Sequence, residues 1–181
     1  DEPLYGYYLK QSGADHPGKE EIVETMETNP DQVWQNCLSA GLTNNLFIKN
    51  MAHHAINLPD EWYSMPVSLF LIRDPRAMIP SLARVLDQPV LADNGLKKQV
   101  EMVDQLCQTD KTPLIIEGVD ILKNPAGMLE RICERLELPF DESMLSWSAG
   151  PLPEDGIWAK YWYDQVHEST GFKPWKPFRE S

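Results

Sequence analysis

The sequence has few cysteines, little positive charge and no long apolar run, and each shortage removes a class of protein. Cys37, Cys107 and Cys133 are odd in number, widely spaced and without a Cys-x-x-Cys pair, so neither a disulfide framework nor a zinc site is indicated. Cys107 and Cys133 fall on the apolar faces of helical patterns, which makes them expected core residues with reduced thiols, as in a cytosolic protein. Lys plus Arg number 16 against 28 Asp plus Glu, a formal net charge of −12, and such a surface repels nucleic acid and anionic lipid. The longest apolar stretch, around residues 67–72, falls far short of the roughly 20 residues that cross a bilayer. The four histidines show no His-x-x-x-His spacing, so no metal site is expected.

What is present is the composition of a globular domain, with 181 residues, 42% hydrophobic and 24% charged. Residues 1–181 therefore read as a single domain. It opens on Asp1-Glu2-Pro3-Leu4-Tyr5 with no initiator Met, signal peptide or tag, as if inside an element. The run 67–72 has the continuous hydrophobicity of a strand covered on both faces, and 46–49 and 114–117 are shorter versions. Helical faces recur at Ile79, Leu82, Ala83 and Leu86, at Leu96, Val100, Val103 and Cys107, and at Leu129, Ile132, Cys133 and Leu136. Asn29-Pro30, Asp74-Pro75 and Asn124-Pro125 each pair an N-cap acceptor with a proline at the first helical position. Further helices are expected over 19–26 and 158–168. Strands alternating with helices predict an α/β fold with a parallel sheet.

In such a sheet, ligands bind beyond the carboxyl ends of the strands, where helix N-termini point their partial positive charge. Arg73 leaves the strand 67–72 and Asp74-Pro75 opens a helix directly after it, which aims Arg73 at a ligand anion. Ser81, eight residues on and about two turns into that helix, can donate its hydroxyl, and the two make a candidate clamp for one phosphate. The alternative is structural, with Arg73 paired to a carboxylate and Ser81 packed against a neighbour. Pro80 lacks the N–H for the Arg76 carbonyl and predicts a kink that helps aim Ser81.

The stretch FLIRDPRAMIPS resembles the 3′-phosphate-binding segment of sulfotransferases that use 3′-phosphoadenosine 5′-phosphosulfate (PAPS). IIEGVDILKNPAGMLERICERLELPF is similar to that family's later strand, turn and helix, and LPEDGIWAKYW to its C-terminal cofactor-binding stretch, through Gly156 and Trp158. KNMAHHAI, MLSWSAGPLPEDGIWAKYWY and ESTGF resemble a bacterial and plant group of sulfotransferase-like proteins, some labelled aminotransferase-like. The resemblance implies a three-layer P-loop NTPase-like α/β fold, a parallel sheet flanked by helices, whose first strand and P-loop would precede Asp1. This sequence has neither, so the domain is expected to be N-terminally incomplete.

The same resemblance implies transfer of a sulfuryl group from PAPS to a hydroxyl or amine of a small molecule or sugar. Arg73, Ser81, Gly156 and Trp158 would bind the co-substrate and Lys49 would assist at the sulfuryl group. His53 or His54, just past the strand 46–49, would be the base, since an unperturbed imidazole titrates near neutrality. In the family a His follows the Lys by two residues, whereas here Asn50-Met51-Ala52 intervene. Glu2 is the rival base, as in carbohydrate sulfotransferases with a Glu-Pro pair, and is otherwise an exposed turn residue. Trp147, Trp158, Tyr161, Trp162, Tyr163 and Trp175 either line an acceptor pocket or pack over the core. Two other readings stand beside this one. One is a non-catalytic nucleotide-binding or interaction module without a P-loop. The other is a P-loop small-molecule kinase, which needs a magnesium-holding Asp for which only Asp74 offers itself. An aminotransferase is disfavoured, because no segment suggests a Schiff-base Lys with a pyridinium partner.

Overall fold

Each Asx-Pro pair starts a helix, for the reason its chemistry supplies. In the computed structural model, which describes every residue except 43, 44, 60, 85, 87, 89 and 178–181 and omits the side chains of Ser64 and Ser81, three such caps are formed. Asn29 Oδ1 accepts the N–H groups of Asp31 (2.9 Å) and Gln32 (3.2 Å). Asp74 Oδ1 accepts that of Arg76 (2.9 Å) and Asn124 Oδ1 that of Gly127 (3.2 Å). The chain runs α1 (Tyr5–Ser12), α2 (Lys19–Thr25), α3 (Pro30–Gly41), a 3₁₀ turn (Ala52–His54), α4 (Glu61–Ser64), β1 (Leu69–Ile72) and α5 (Pro75–Leu82). It continues through α6 (Leu96–Cys107), β2 (Leu114–Glu117), α7 (Gly118–Lys123), α8 (Pro125–Arg135), α9 (Ala159–Trp162) and α10 (Asp164–His167).

β1 and β2 pair in parallel, with Leu69 opposite Leu114 and Ile72 opposite Glu117. Among the described residues they form the whole sheet, so the architecture is α/β with a small parallel sheet and helices. The expected strand 46–49 pairs with neither. Its Lys49 carbonyl instead accepts the Glu2 N–H at 2.8 Å, which ties the segment to the chain start rather than to a sheet. Nor is β1 covered on both faces: Phe70 and Ile116 are buried, but their register partners Ile115 and Leu71 are half exposed. Each face of a two-stranded ribbon is thus only partly sealed.

Three helix expectations also shift. Residue 86 lies beyond α5, although the helix runs past Pro80 and the Ala83 N–H closes on the Ile79 carbonyl at 3.0 Å. The stretch 158–168 breaks at Tyr163 (φ −102°, ψ 14°) into two short helices. Cys107 ends α6 exposed, while its neighbour Leu106 carries the buried face; Cys133 is buried as expected.

α1 carries the two cores apart and together. Leu4 and Tyr7 pack with Val33, Ala55, Trp62, Tyr63, Phe70 and Leu106 beside the sheet. Tyr5, Tyr8 and Leu9, on another side of the same helix, pack with Ile22, Trp158 and Ala159. The run Tyr5-Gly6-Tyr7-Tyr8-Leu9 is buried all round, so α1 shows no polar face by which periodicity could find it. A Cβ on Gly6 would sit 2.8 Å from Met26 Cβ, which is how α1 lies so close to the end of α2. Among the described residues no helix is long and apolar enough to cross a membrane.

Candidate functional site

The N-terminal end of α1 gathers the charged groups. Glu2 is 6% exposed, and the Tyr5 N–H reaches back to its carbonyl at 3.0 Å. Its backbone is left-handed (φ 44°), a strained conformation for a residue with a side chain, and the surroundings hold it there. The carboxylate Oε1 pairs with the Lys49 ammonium, and Oε2 lies 4.0 Å from His54 Nδ1. Glu2 is therefore no exposed turn residue. Lys49 Nζ also donates to the Tyr163 hydroxyl at 2.9 Å and stands over the rings of Tyr163 (5.3 Å) and Trp158 (5.6 Å). Its side chain keeps 40% exposure, so the ammonium sits at the mouth of the site with the carboxylate behind it.

Both histidines are held neutral. His54, 2% exposed, stacks on Tyr5 (4.8 Å between ring centroids) and Tyr8 (4.7 Å). Burial above all, then the positive charges of His53, His16 and Lys49, pushes its pKa down to about 2. His53 is lowered to about 4, by burial first and by His16 second, with Asp93 opposing. The Nδ1 atoms of both rings are buried without a hydrogen-bond partner. These rings bear lone pairs yet resist becoming imidazolium, which suits them poorly to taking a proton. His16 makes one side of the same aromatic group. The Tyr5 hydroxyl accepts from Trp162 Nε1 at 3.1 Å and shares a hydrogen bond with His16 Nδ1 at 2.9 Å.

Trp158 is 1% exposed and lies in the second core, where it supports Lys49 from below and offers no free ring face at the surface. Gly156 is fitted to it: a Cβ there would collide with the indole nitrogen. The Gly-x-Trp spacing thus has a packing reason, close approach of backbone to ring. Of the other tail aromatics, Tyr161 and Trp162 pack on this core, while Trp147 meets Phe172 and Trp175 lies under Lys123.

Arg73 stands apart from this group. It is exposed beyond the carboxyl end of β1, where among the described residues its guanidinium donates to the Ala77 carbonyl at 3.3 Å. The neighbouring carboxylate, Asp74, is taken by Arg76 at 2.8 Å, and among the described residues no carboxylate pairs with Arg73. The Ser81 side chain lies outside the described residues. α6 spans the interval. Gly95 at its start would bring a Cβ within 3.4 Å of His53, and Gln99, one turn on, bonds the Leu71 carbonyl at 3.1 Å. α6 thus touches the 3₁₀ turn of the histidines at Gly95 and β1 at Gln99, about a helical turn further along.

Tyr163 was not singled out by spacing, since it stands in a run of aromatics whose ordinary use is packing. Only the direction of its hydroxyl, which accepts from Lys49 and donates to Asp1 Oδ2 at 2.8 Å, marks it. Burial, then the charges of Glu2 and Asp155, pushes its pKa well up, so the hydroxyl keeps its proton. Two grooves elsewhere touch none of these residues. One of about 260 Å³ lies by the amino ends of the strands, between Val67 and Arg135, and one of about 550 Å³ lies between β2 and α8. They mark the sheet's incomplete cover. Among the described residues no three His, Cys, Asp or Glu side chains are grouped to hold a metal ion.

A family model described as "Sulfotransferase domain" matches residues 1–179. "Branched-chain-amino-acid aminotransferase-like protein 1" of Arabidopsis thaliana is 37% identical over 180 residues, which is 98% of this chain and 32% of the relative. "Branched-chain-amino-acid aminotransferase-like protein 2" of the same plant is 37% identical over 174 residues, 95% of this chain and 31% of the relative. The chain thus spans about a third of the length of the curated relatives it matches. No solved structure matches it.

Proposed function

Because the chain belongs to the sulfotransferase domain family, we propose that it transfers the sulfuryl group of PAPS to a hydroxyl or amine of a small molecule or sugar. The observation that carries this reading is the Glu2–Lys49 pair, a buried carboxylate and a half-exposed ammonium fixed side by side at the mouth of the site. The residues present fit an anionic co-substrate, since Lys49 and Arg73 both present cationic donors and, among the described residues, no carboxylate engages Arg73. PAPS, when bound, supplies a sulfuryl group whose S–O bond to the 5′-phosphate breaks as the acceptor atom bonds to sulfur, the electron pair leaving with the phosphate.

The chain's own residues do the rest. Arg73, with Ser81, binds the 3′-phosphate beside the start of α5. Lys49 places its ammonium where negative charge develops on the leaving oxygen. Glu2 takes the proton of the acceptor, in preference to His53 or His54, whose burial opposes the imidazolium. Gly156 and Trp158 act by supporting Lys49.

Calorimetry with adenosine 3′,5′-bisphosphate tests the co-substrate half: wild type binds and Arg73→Ala does not, and unchanged affinity would refute the clamp. A PAPS turnover assay over hydroxyl and amine acceptors tests the other half. Binding without turnover for any acceptor would replace this reading by that of a nucleotide-binding module.

A further inference from the structure

The ring of Tyr163 rests on the indole of Trp158, with centroids 4.7 Å apart and planes at 87°. Trp158 is in turn seated against Gly156. From that floor the Tyr163 hydroxyl accepts from the Lys49 ammonium at 2.9 Å and donates to Asp1 Oδ2 at 2.8 Å. The groups around it are Asp1 and Glu2 at the chain start, Lys49, and Asp155 and His167, which pair with each other at 2.8 Å. A lysine has three N–H donors and four flexible carbons, and Glu2 alone fixes one donor. A second acceptor at a defined place removes the rotation that remains.

We propose that Tyr163 is a positioning residue: its hydroxyl, held by the Gly156–Trp158 floor, fixes the Lys49 ammonium against Glu2 and so aims its remaining donor at the ligand. The role rests on the sulfuryl-transfer reading for its catalytic consequence, but the placement of Lys49 does not depend on it. The ring is not called on to touch substrate.

Tyr163→Phe keeps the ring on Trp158 and the cation over the ring, and deletes only the hydroxyl. The test reads the side-chain ammonium of Lys49 by ¹H–¹⁵N NMR, the signal being assigned by its disappearance in Lys49→Arg. An ammonium held by two partners exchanges slowly enough with water to be seen. Wild type should show the Lys49 signal, and Tyr163→Phe should lose it while its melting temperature stays within a few degrees. In turnover, Tyr163→Phe should lose about tenfold in kcat, the usual effect of deleting a hydrogen bond to a charged group, with KM for PAPS nearly unchanged. A Lys49 signal equally sharp in Tyr163→Phe would overturn the inference, as would unchanged kcat in an active chain. If the wild type turns over no acceptor, the functional reading fails and the NMR comparison alone decides the placement of Lys49.

Discussion

Acid should unfold this protein through its buried imidazoles, and His54 allows the effect to be measured one residue at a time. His53 and His54 have folded pKa values near 4 and 2 against an ordinary 6.5, both lowered mainly by burial. Below pH 6.5 the unfolded chain therefore binds protons that the folded chain refuses, so stability rises with pH. The contribution is fully present above pH 6.5 and is lost as pH falls, until the folded-state value is reached. At pH 5, about one and a half units below 6.5 and at about 1.36 kcal/mol per unit, each ring costs about 2 kcal/mol, and the two together about 4 kcal/mol. That is a large share of the 5–15 kcal/mol that holds an ordinary domain, given in round figures as about 10. Replacing His54 by Phe keeps a flat ring on Tyr5 and Tyr8 and gives up no hydrogen bond at Nδ1, which among the described residues has no partner. Urea unfolding followed by tryptophan fluorescence at pH 7.5, 6 and 5 should show the variant losing about 2 kcal/mol less than wild type across that range. Equal losses in the two proteins would mean that His54 is protonated in the folded state, and the burial reasoning would be wrong.

Other consequences are simpler to check. Under native conditions one thiol should react quickly with a colorimetric disulfide reagent, and mass spectrometry should find it on Cys107, with Cys133 labelled only after unfolding. Gly156→Ala should destabilise by about 2 kcal/mol in denaturant titration, because its Cβ and the Trp158 indole cannot share one place without a shift of the core. Lys49→Ala should cost about 2 kcal/mol and not the larger penalty of a wholly buried pair, since it strands the Glu2 carboxylate but its own side chain is 40% exposed. A melting temperature unmoved by Lys49→Ala would show the pair to be electrostatically idle.

Local chemistry was readable along the chain. The three Asx-Pro caps, the strands ending in Ile72 and Glu117 and the helix α2 stand where a side-chain acceptor, a proline ring or a hydrophobic period puts them. Glu2, Lys49, His53, His54, Arg73, Gly156 and Trp158 were each legible as candidates. α1 was not, because a helix buried all round carries no polar stripe, and Tyr and Gly favour it little. The segment 46–49 read as a strand because apolar residues there suit one, but a strand needs a partner edge, and its neighbour is Glu2.

Composition and spacing by themselves determined the α/β class, the acidic surface, the helix starts and the residue types available for chemistry, since these follow from charge, periodicity and capping within a few residues. The tertiary structure alone decided that Glu2 is buried and paired with Lys49, that the two histidines are held neutral, and that Tyr163 joins them. Each of those outcomes depends on groups more than forty residues apart being brought into contact, by hydrogen bonds for Lys49 and Tyr163 across 114 positions of the chain and by ring stacking for His54 on Tyr5 and Tyr8. Burial and distance set their charge, and neither is a property of any one stretch of sequence.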